Sequence, residues 1–364
     1  MDNLRSIDEY LKSVLSTTPE LKQMAAEPSR MLQRGLRQRA IIIPPEVVSP
    51  SRADATSSTP TPAVLPSTAR ELKRGTEVLA SWEGGELAKE DIPSVEAVIL
   101  LVGRPALPIQ DDDFPPPPEL WEILDFQRDT IRPNLRSVGR IEVAMRGDTF
   151  MVGTGFMVGN GVIMTNRHVA ETFIEKVGSS FKFKDGVIPQ IDFRREGGST
   201  QKKVFKIDSV IDVHTHRDID LALLRIGAAV TEPGAQPPPA LPVASEPPQD
   251  EDEIEDKRTI YTVGYPATDN AGTTPITVLR DIFGSIVRIK RLAPGHLMRL
   301  TPDKKQFKHD CSTLGGNSGS PIFEIGSNRV VGLHFQGVFR DSNDAVAMWT
   351  LVDDPIVRDM VNFD

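Results

Sequence analysis

Ser318 lies in Gly315-Gly316-Asn317-Ser318-Gly319-Ser320-Pro321, a run whose residue types can support nucleophilic catalysis. A serine flanked by glycines on a tight turn presents its hydroxyl outward. The small neighbours let a substrate backbone approach, and they leave backbone N–H groups free to face a developing oxyanion. The same composition also makes ordinary turns, so the run gains meaning only from its partners. A serine nucleophile needs a base, and the base needs an orienting carboxylate. Of six histidines, His168 stands where Gly161-Val162-Ile163-Met164-Thr165-Asn166-Arg167-His168 turns from apolar to polar, at a strand end. For the carboxylate, Arg217-Asp218-Ile219-Asp220-Leu221-Ala222-Leu223-Leu224 offers Asp218 and Asp220, which share strand parity. Asp220 is favoured. It leads directly into an apolar strand, where an unpaired carboxylate is costly and an imidazole N–H would satisfy it.

The elements that must carry these groups are short strands. From about 138 the apolar period changes from helical to two, with Ile141, Val143 and Met145 alternating with Glu142, Ala144 and Arg146. Glycine-broken runs follow at 150–152, 155–158 and 162–165. Further strand candidates lie at 180–184, 188–193, 203–213 and 220–226, and strands resume from 259 to 350. This is the pattern of an all-β barrel or sandwich. Residues 231–257 are proline-rich and hold Asp250-Glu251-Asp252-Glu253, so they read as a solvated connection. At the end, Asp354 can cap a helix over 354–363, with Pro355 at its first position.

Upstream the pattern differs. Residues 1–43 read as a helical segment, because apolar residues such as Leu11, Val14 and Leu15 recur at spacings of three and four. Residues 44–68 read as a Pro/Ser/Thr-rich linker. Residues 69–118 form a small accessory segment. Its run at 95–102 reads as an apolar strand, and it ends in a stiff polyproline break at 115–118. Residues 119–128 suit a short amphipathic helix. Residues 129–137 should be accessible, since proline there prevents regular pairing.

Five motifs now stand in order: Gly153-Thr154-Gly155-Phe156, Thr165-Asn166-Arg167-His168-Val169, Asp220-Leu221-Ala222-Leu223-Leu224, Val263-Gly264-Tyr265-Pro266 and Gly316-Asn317-Ser318-Gly319-Ser320-Pro321. Together they resemble the trypsin-like serine proteases, and within them the bacterial glutamyl-endopeptidase-type branch. The order His, Asp, Ser is that of the chymotrypsin arrangement. The resemblance covers about 138–362. It implies a mainly β, chymotrypsin-like double β-barrel with a C-terminal helix, preceded by a partly helical N-terminal extension. The domain would span 119–364, with one barrel at about 138–230 and a second at about 258–352.

The resemblance also implies roles. Ser318 would attack the scissile carbonyl, His168 would move the proton, and Asp220 would hold the imidazole. The backbone N–H groups of Gly316 and Ser318 would form the oxyanion hole. The implied activity is a serine endopeptidase acting on protein or peptide substrates, with no metal and no cofactor. Asn317 stands where pancreatic-type enzymes carry an aspartate that pairs with a newly cut amine, so that activation switch is not expected here. Ser312, six before the serine, would lie at the base of the specificity pocket, with no carboxylate to receive Arg or Lys. Thr313 and His334 match positions that bind an acidic side chain in glutamyl endopeptidases, and both side chains can donate to a carboxylate. The competing reading packs His334 along its strand and gives the pocket a small or polar residue. A different class of function, a catalytically silent protease-fold peptide-binding module, would not need the intact set His168, Asp220 and Ser318.

Composition sets the remaining bounds. The net charge of −9 over 364 residues argues against general binding to nucleic acid or an anionic membrane surface. No apolar run reaches membrane-span length. Cys311 is the single cysteine, so no intrachain disulfide forms, and it suits a small buried position. His214 and His216 share a strand face but lack a third ligand, so no metal site is read there. The first residues carry acids and no signal-like apolar core, and a cytoplasmic protein is expected. Residues 1–118 are not required by a double barrel. They are expected to control access to the site or to recruit a regulatory protein partner.

Overall fold

The computed structural model describes residues 7–33, 66–84, 86–178, 180–248, 258–267, 287–337 and 342–364. Most of the linker read at 44–68 and the acidic run at 250–253 lie outside these residues. The chain is mainly β, with helices before the sheets and one after them. It opens with α1 (Ile7–Thr17), α2 (Glu20–Ala25), α3 (Pro66–Ser81) and α4 (Ile92–Val98). These helices bury Leu11, Val14, Leu21, Leu72, Leu79, Val95, Val98 and Leu101 in a core of their own.

The expected strand at 95–102 is helical. α4 runs on through a π-helical turn, Ile99–Gly103. Apart from Glu96 the run is apolar throughout, and every residue of it is buried. Periodicity cannot separate a short strand from a fully buried helix in such a run. Residues 129–137 also differ from expectation. α5 (Ile123–Phe126) is followed by α6 (Arg128–Leu135), which buries Ile131 and Leu135 with Pro133 inside it. Pro133 lacks the N–H that would have bonded the Asp129 carbonyl, and the burial of Ile131 and Leu135 holds the helix in spite of that loss.

A two-residue strand, β1 (Leu107–Pro108), precedes the barrels. The first barrel contains β2 (Val138–Met145), β3 (Asp148–Gly159) and β4 (Val162–Thr165). A side hairpin, β5 (Ile174–Val177) and β6 (Ser180–Phe183), projects from it. The barrel is completed by β7 (Ile188–Asp192), β8 (Val204–Val213) and β9 (Ala222–Ala229), closing in the order β2-β3-β4-β9-β8-β7. The second barrel contains β10 (Thr259–Gly264), β11 (Arg291–Leu300), β12 (Gln306–His309), β13 (Pro321–Glu324), β14 (Val330–Gly337) and β15 (Asn343–Ala347). Its order is β11-β10-β13-β14-β15-β12, closed by the pairing of β11 with β12. β1 adds a seventh strand, pairing Leu107 with Leu292 and Pro108 with Arg291.

Period-two alternation explains how both barrels and their seam are filled. In β4, Ile163 packs inside barrel 1, while Val162 and Met164 face the seam. In β10, Ile260 packs inside barrel 2, while Tyr261 and Val263 face the seam. Burial on both faces is why these strands read as nearly unbroken apolar runs. The C-terminal helix, α7 (Pro355–Met360), sits where expected, with Asp354 Oδ1 accepting from the N–H of Ile356 and Val357 at 3.1 and 3.0 Å.

Candidate active site

Strand pairing brings the histidine and the carboxylate together. β4 and β9 are antiparallel partners, with Thr165 opposite Ala222. His168 comes three residues after Thr165, on a single helical turn over Arg167–Ala170. Asp220 comes two residues before Ala222, so both reach the same rim. His168 Nδ1 lies 2.6 Å from Asp220 Oδ2, and the His168 backbone N–H donates to Asp220 Oδ1 at 3.1 Å. The Asn166 side chain donates to the Asp220 carbonyl at 2.8 Å, and Arg167 donates to the carbonyls of His214 and His216. Burial works against the charge on Asp220. The hydrogen bonds and charge of His168, with Arg167 nearby, outweigh it and hold the carboxyl below its ordinary value. Asp218 lies apart: its carboxylate is 3.8 Å from His216, and its carbonyl accepts from Gln306.

Ser318 lies on the loop before β13 of the second barrel, and that loop packs against β3 of the first. Gly316 and Gly319 hold φ of +92° and +88°, a left-handed backbone that side chains disfavour. Thr154 of β3 ties the loop to barrel 1. Its N–H donates to the Ser318 carbonyl at 2.9 Å, and its hydroxyl donates to the Gly316 carbonyl at 2.8 Å. Its own carbonyl accepts from the Thr165 hydroxyl at 2.7 Å, so one residue spans the strand before His168 and the loop of Ser318. Gly153 fits between them. A Cβ there would sit 2.8 Å from Val169, the residue after His168, and 3.1 Å from the Ser318 carbonyl. Among the described residues no hydrogen bond joins the Ser318 hydroxyl to His168, and nothing accepts from the N–H of Gly316 or Ser318. Nucleophile–base bonds are commonly long in an empty site. An oxyanion hole is built from unpaired backbone amides of this kind.

The three residues expected to line the specificity pocket have definite partners. The Ser312 hydroxyl donates to the Arg104 carbonyl at 2.7 Å, and the Thr313 hydroxyl donates to Asn343 Oδ1 at 2.6 Å. His334, 2% exposed, sets its Nδ1 3.1 Å from His309 Nε2. Burial first, then the neighbouring His309 and His168, push the His334 imidazole well below its ordinary value, so it is neutral. Sequence reasoning assigned no role to Thr154, Arg104, His309 or Asn343. Thr154 was visible as the polar member of Gly153-Thr154-Gly155-Phe156. The other three are set beside the pocket by the tertiary fold, and nothing local marks them.

Residues 153–333 match the family model of the trypsin-like peptidase domain. They form a trypsin-like peptidase domain. The chain is also similar to a glutamyl endopeptidase of Staphylococcus epidermidis, 33% identical over 87 residues, which is 24% of this chain and 24% of that protein. A glutamyl endopeptidase of Staphylococcus aureus is 33% identical over 94 residues, covering 26% of this chain and 22% of the relative. The chain thus spans about a quarter of the length of the curated relatives it matches. Among solved structures, the active form of the Rv3671c protease from M. tuberculosis aligns with a TM-score of 0.38 at 15% identity. That alignment covers 63% of this chain and 83% of the other. His168, Asp220 and Ser318 all lie within the matched peptidase domain. Arg104 and β1 lie outside it.

Proposed function

We propose that the chain is a serine endopeptidase working through Ser318, His168 and Asp220. The observation that carries this reading is the His168–Asp220 pair at 2.6 Å, on the rim to which Thr154 ties the Ser318 loop. His168 Nε2 takes the hydroxyl proton as Ser318 Oγ bonds to the scissile carbonyl carbon. Asp220 holds Nδ1–H, which fixes the tautomer and stabilises the imidazolium. The negative charge that develops on the carbonyl oxygen is met by the N–H of Gly316 and Ser318. Losing one such donor typically costs about 3 kcal/mol of transition-state stabilisation. As the intermediate collapses, the C–N bond breaks, and the His168 proton goes to the leaving amine. Water then repeats the sequence on the acyl-enzyme and restores Ser318.

Asn317 immediately precedes the proposed nucleophile. A neutral amide forms no ion pair with a new N-terminal amine, so activation by such an insertion is not part of this reading. Cleavage after Glu or Asp is proposed from one pocket donor, His334, because the Thr313 hydroxyl proton is already given to Asn343. In the tautomer pair where His309 Nε2–H donates to His334 Nδ1, a neutral His334 keeps Nε2–H, and a hydrogen-bond donor there can meet a carboxylate. Residues 1–118 are proposed to govern this activity, either by acting on the site or by recruiting a protein partner.

The test is peptide-library profiling beside labelling with a fluorophosphonate, each with Ser318→Ala as control. Ser318-dependent labelling with cleavage after acidic residues is expected, and His334→Leu should flatten that preference. Cleavage confined to Arg, Lys or large aromatic residues would refute the acidic pocket. Labelling that persists in Ser318→Ala would refute the nucleophile.

A further inference from the structure

The N-terminal segment grips the back of the strip that leads from β12 to the pocket. Arg104 Nη2 lies 2.7 Å from Asp310 Oδ2, and both side chains are 4% exposed. The same Nη2 donates to Thr17 Oγ1 of α1 at 2.6 Å. The Arg104 backbone works on the strip as well, since its carbonyl accepts from Ser312 Oγ at 2.7 Å. Arg104 is itself fixed by its N–H, which donates to Ile99 at 2.7 Å across the π-helical turn. Two residues on, the Ala106 carbonyl accepts from buried Arg291 at 2.8 Å, and β1 then joins the sheet. Leu100 and Ala106 enter the core of barrel 2 beside Cys311.

The other face of Asp310 is also taken. Its Oδ1 accepts from the His296 N–H at 2.6 Å, and the His296 ring lies tilted with its centroid 5.2 Å from that of Trp121, whose indole donates to the Gly103 carbonyl. Side chain and main chain of Arg104 therefore hold residues two apart on one strip. A buried ion pair is a poor source of net stability, because desolvation offsets the attraction. Its effect here is geometric. The two hydroxyls of the strip have separate anchors, Ser312 on Arg104 and Thr313 on Asn343. Only the first depends on the N-terminal segment. His168 and Asp220 sit on the other barrel and share no partner with Arg104.

We propose that Arg104 is a positioning residue for the substrate pocket, a cation delivered by the N-terminal segment that holds 310–313 in shape. The proposal rests on the endopeptidase reading, and it names how residues 1–118 act on that site: through substrate binding, not through the proton-transfer pair. A peptidase domain beginning after 118 would keep His168, Asp220 and Ser318 and lose the wall behind its pocket.

The test uses the full chain. Arg104→Ala alone leaves a buried carboxylate unpaired and can unfold the protein. Arg104→Ala combined with Asp310→Asn removes both charges, and Arg104→Lys keeps both while removing the guanidinium fork. A small fluorophosphonate reports the nucleophile, and acidic-residue peptides report the pocket. In the double variant, labelling should stay within about threefold of the parent while KM rises at least about tenfold with little change in kcat. Arg104→Lys should recover part of that rise. Labelling and peptide turnover falling together, or KM and side-chain preference both unchanged, would overturn the proposal. Hydrogen exchange separates this from failure of the endopeptidase reading. Faster exchange confined to 310–313 in the double variant supports Arg104 even if the parent hydrolyses nothing. Unchanged exchange there strikes Arg104 out, whatever the parent cleaves.

Discussion

The two barrels have equal strand numbers and differ in what completes them. Barrel 1 closes with its own six strands. Barrel 2 closes too, yet it takes β1 from the N-terminal segment and buries Leu100 and Ala106 from the same source. Barrel 1 has a buried pair of its own, Arg140 with Glu142 on β2, but the charges around the candidate site differ between the barrels. On barrel 1, His168 is 47% exposed and Asp220 16%, so the pair meets water at an open rim. Behind the pocket of barrel 2, Arg104 and Asp310 are nearly dry. At the seam, Lys290 and Glu196 form an ion pair that is fully buried. Proton transfer needs a group that can exchange protons, whereas a pocket wall needs groups that cannot move. The N-terminal segment supplies the second kind of group.

The largest expected effect tests the barrel that carries the proposed nucleophile. Ser318→Ala should lower peptide turnover by at least about ten-thousand-fold and leave the melting temperature unchanged. Steady-state kinetics beside a thermal scan would show it. Turnover equal to that of the parent would remove Ser318 from the mechanism. The matching change on barrel 1 is Asp220→Asn, which presents the wrong tautomer partner to His168 and should cost about ten-thousand-fold in kcat. Asp218→Asn should cost little, because its carboxylate lies beside His216 and away from His168. The reverse ranking would move the carboxylate role to Asp218.

How much of this was legible depended on whether the signal was local. The barrel strands were readable because period two is local, and His168, Asp220 and Ser318 stood out as candidates because each sits in a short motif at a strand end. Asp220 was chosen over Asp218 by adjacency to Leu-Ala-Leu-Leu, and the pairing of β4 with β9 gives that choice its geometry. The run at 95–102 was misread as a strand because burial on all sides erases the helical period. Pro133 suggested an accessible connection, but tertiary packing of Ile131 and Leu135 outweighed it. β1 is two residues long, too short to announce itself. Arg104 and Asp310 are 206 positions apart, and nothing near either one names its partner.

A middle-sized effect tests the dependence of barrel 2 on its added segment. Arg104→Ala alone should destabilise the chain by about 3–5 kcal/mol, the usual loss when one member of a buried pair is removed. Urea unfolding would measure it. On barrel 1, Lys182→Ala breaks an exposed pair with Glu175 and should leave the urea midpoint in place. Equal shifts for the two variants would erase the contrast between the barrels.

The smallest expected effect sharpens the contrast through pH. Barrel 2 buries two neutral imidazoles in contact, His309 and His334. Burial pushes His309 down to about 3, with Asp310 opposing the shift and Lys308 adding to it. His334 is likewise held well below its ordinary value. On unfolding both return to about 6.5. Below that pH the unfolded chain binds protons that the folded chain refuses, so the unfolding free energy falls as pH falls. Each histidine should remove about 1.4 kcal/mol per pH unit once the pH is well under 6.5. Asp310 adds a loss of the same sign at lower pH. Burial opposes its charge, but Arg104 and His296 hold the carboxyl below the usual range, and that contribution fades as pH falls beneath about 3.9. His309→Gln keeps a donor for His334 Nδ1 and cannot titrate. Between pH 6 and 4.5 it should halve the slope of urea stability against pH. A flat parent profile, or a variant with the parent's full slope, would show that the acid lability does not arise in barrel 2.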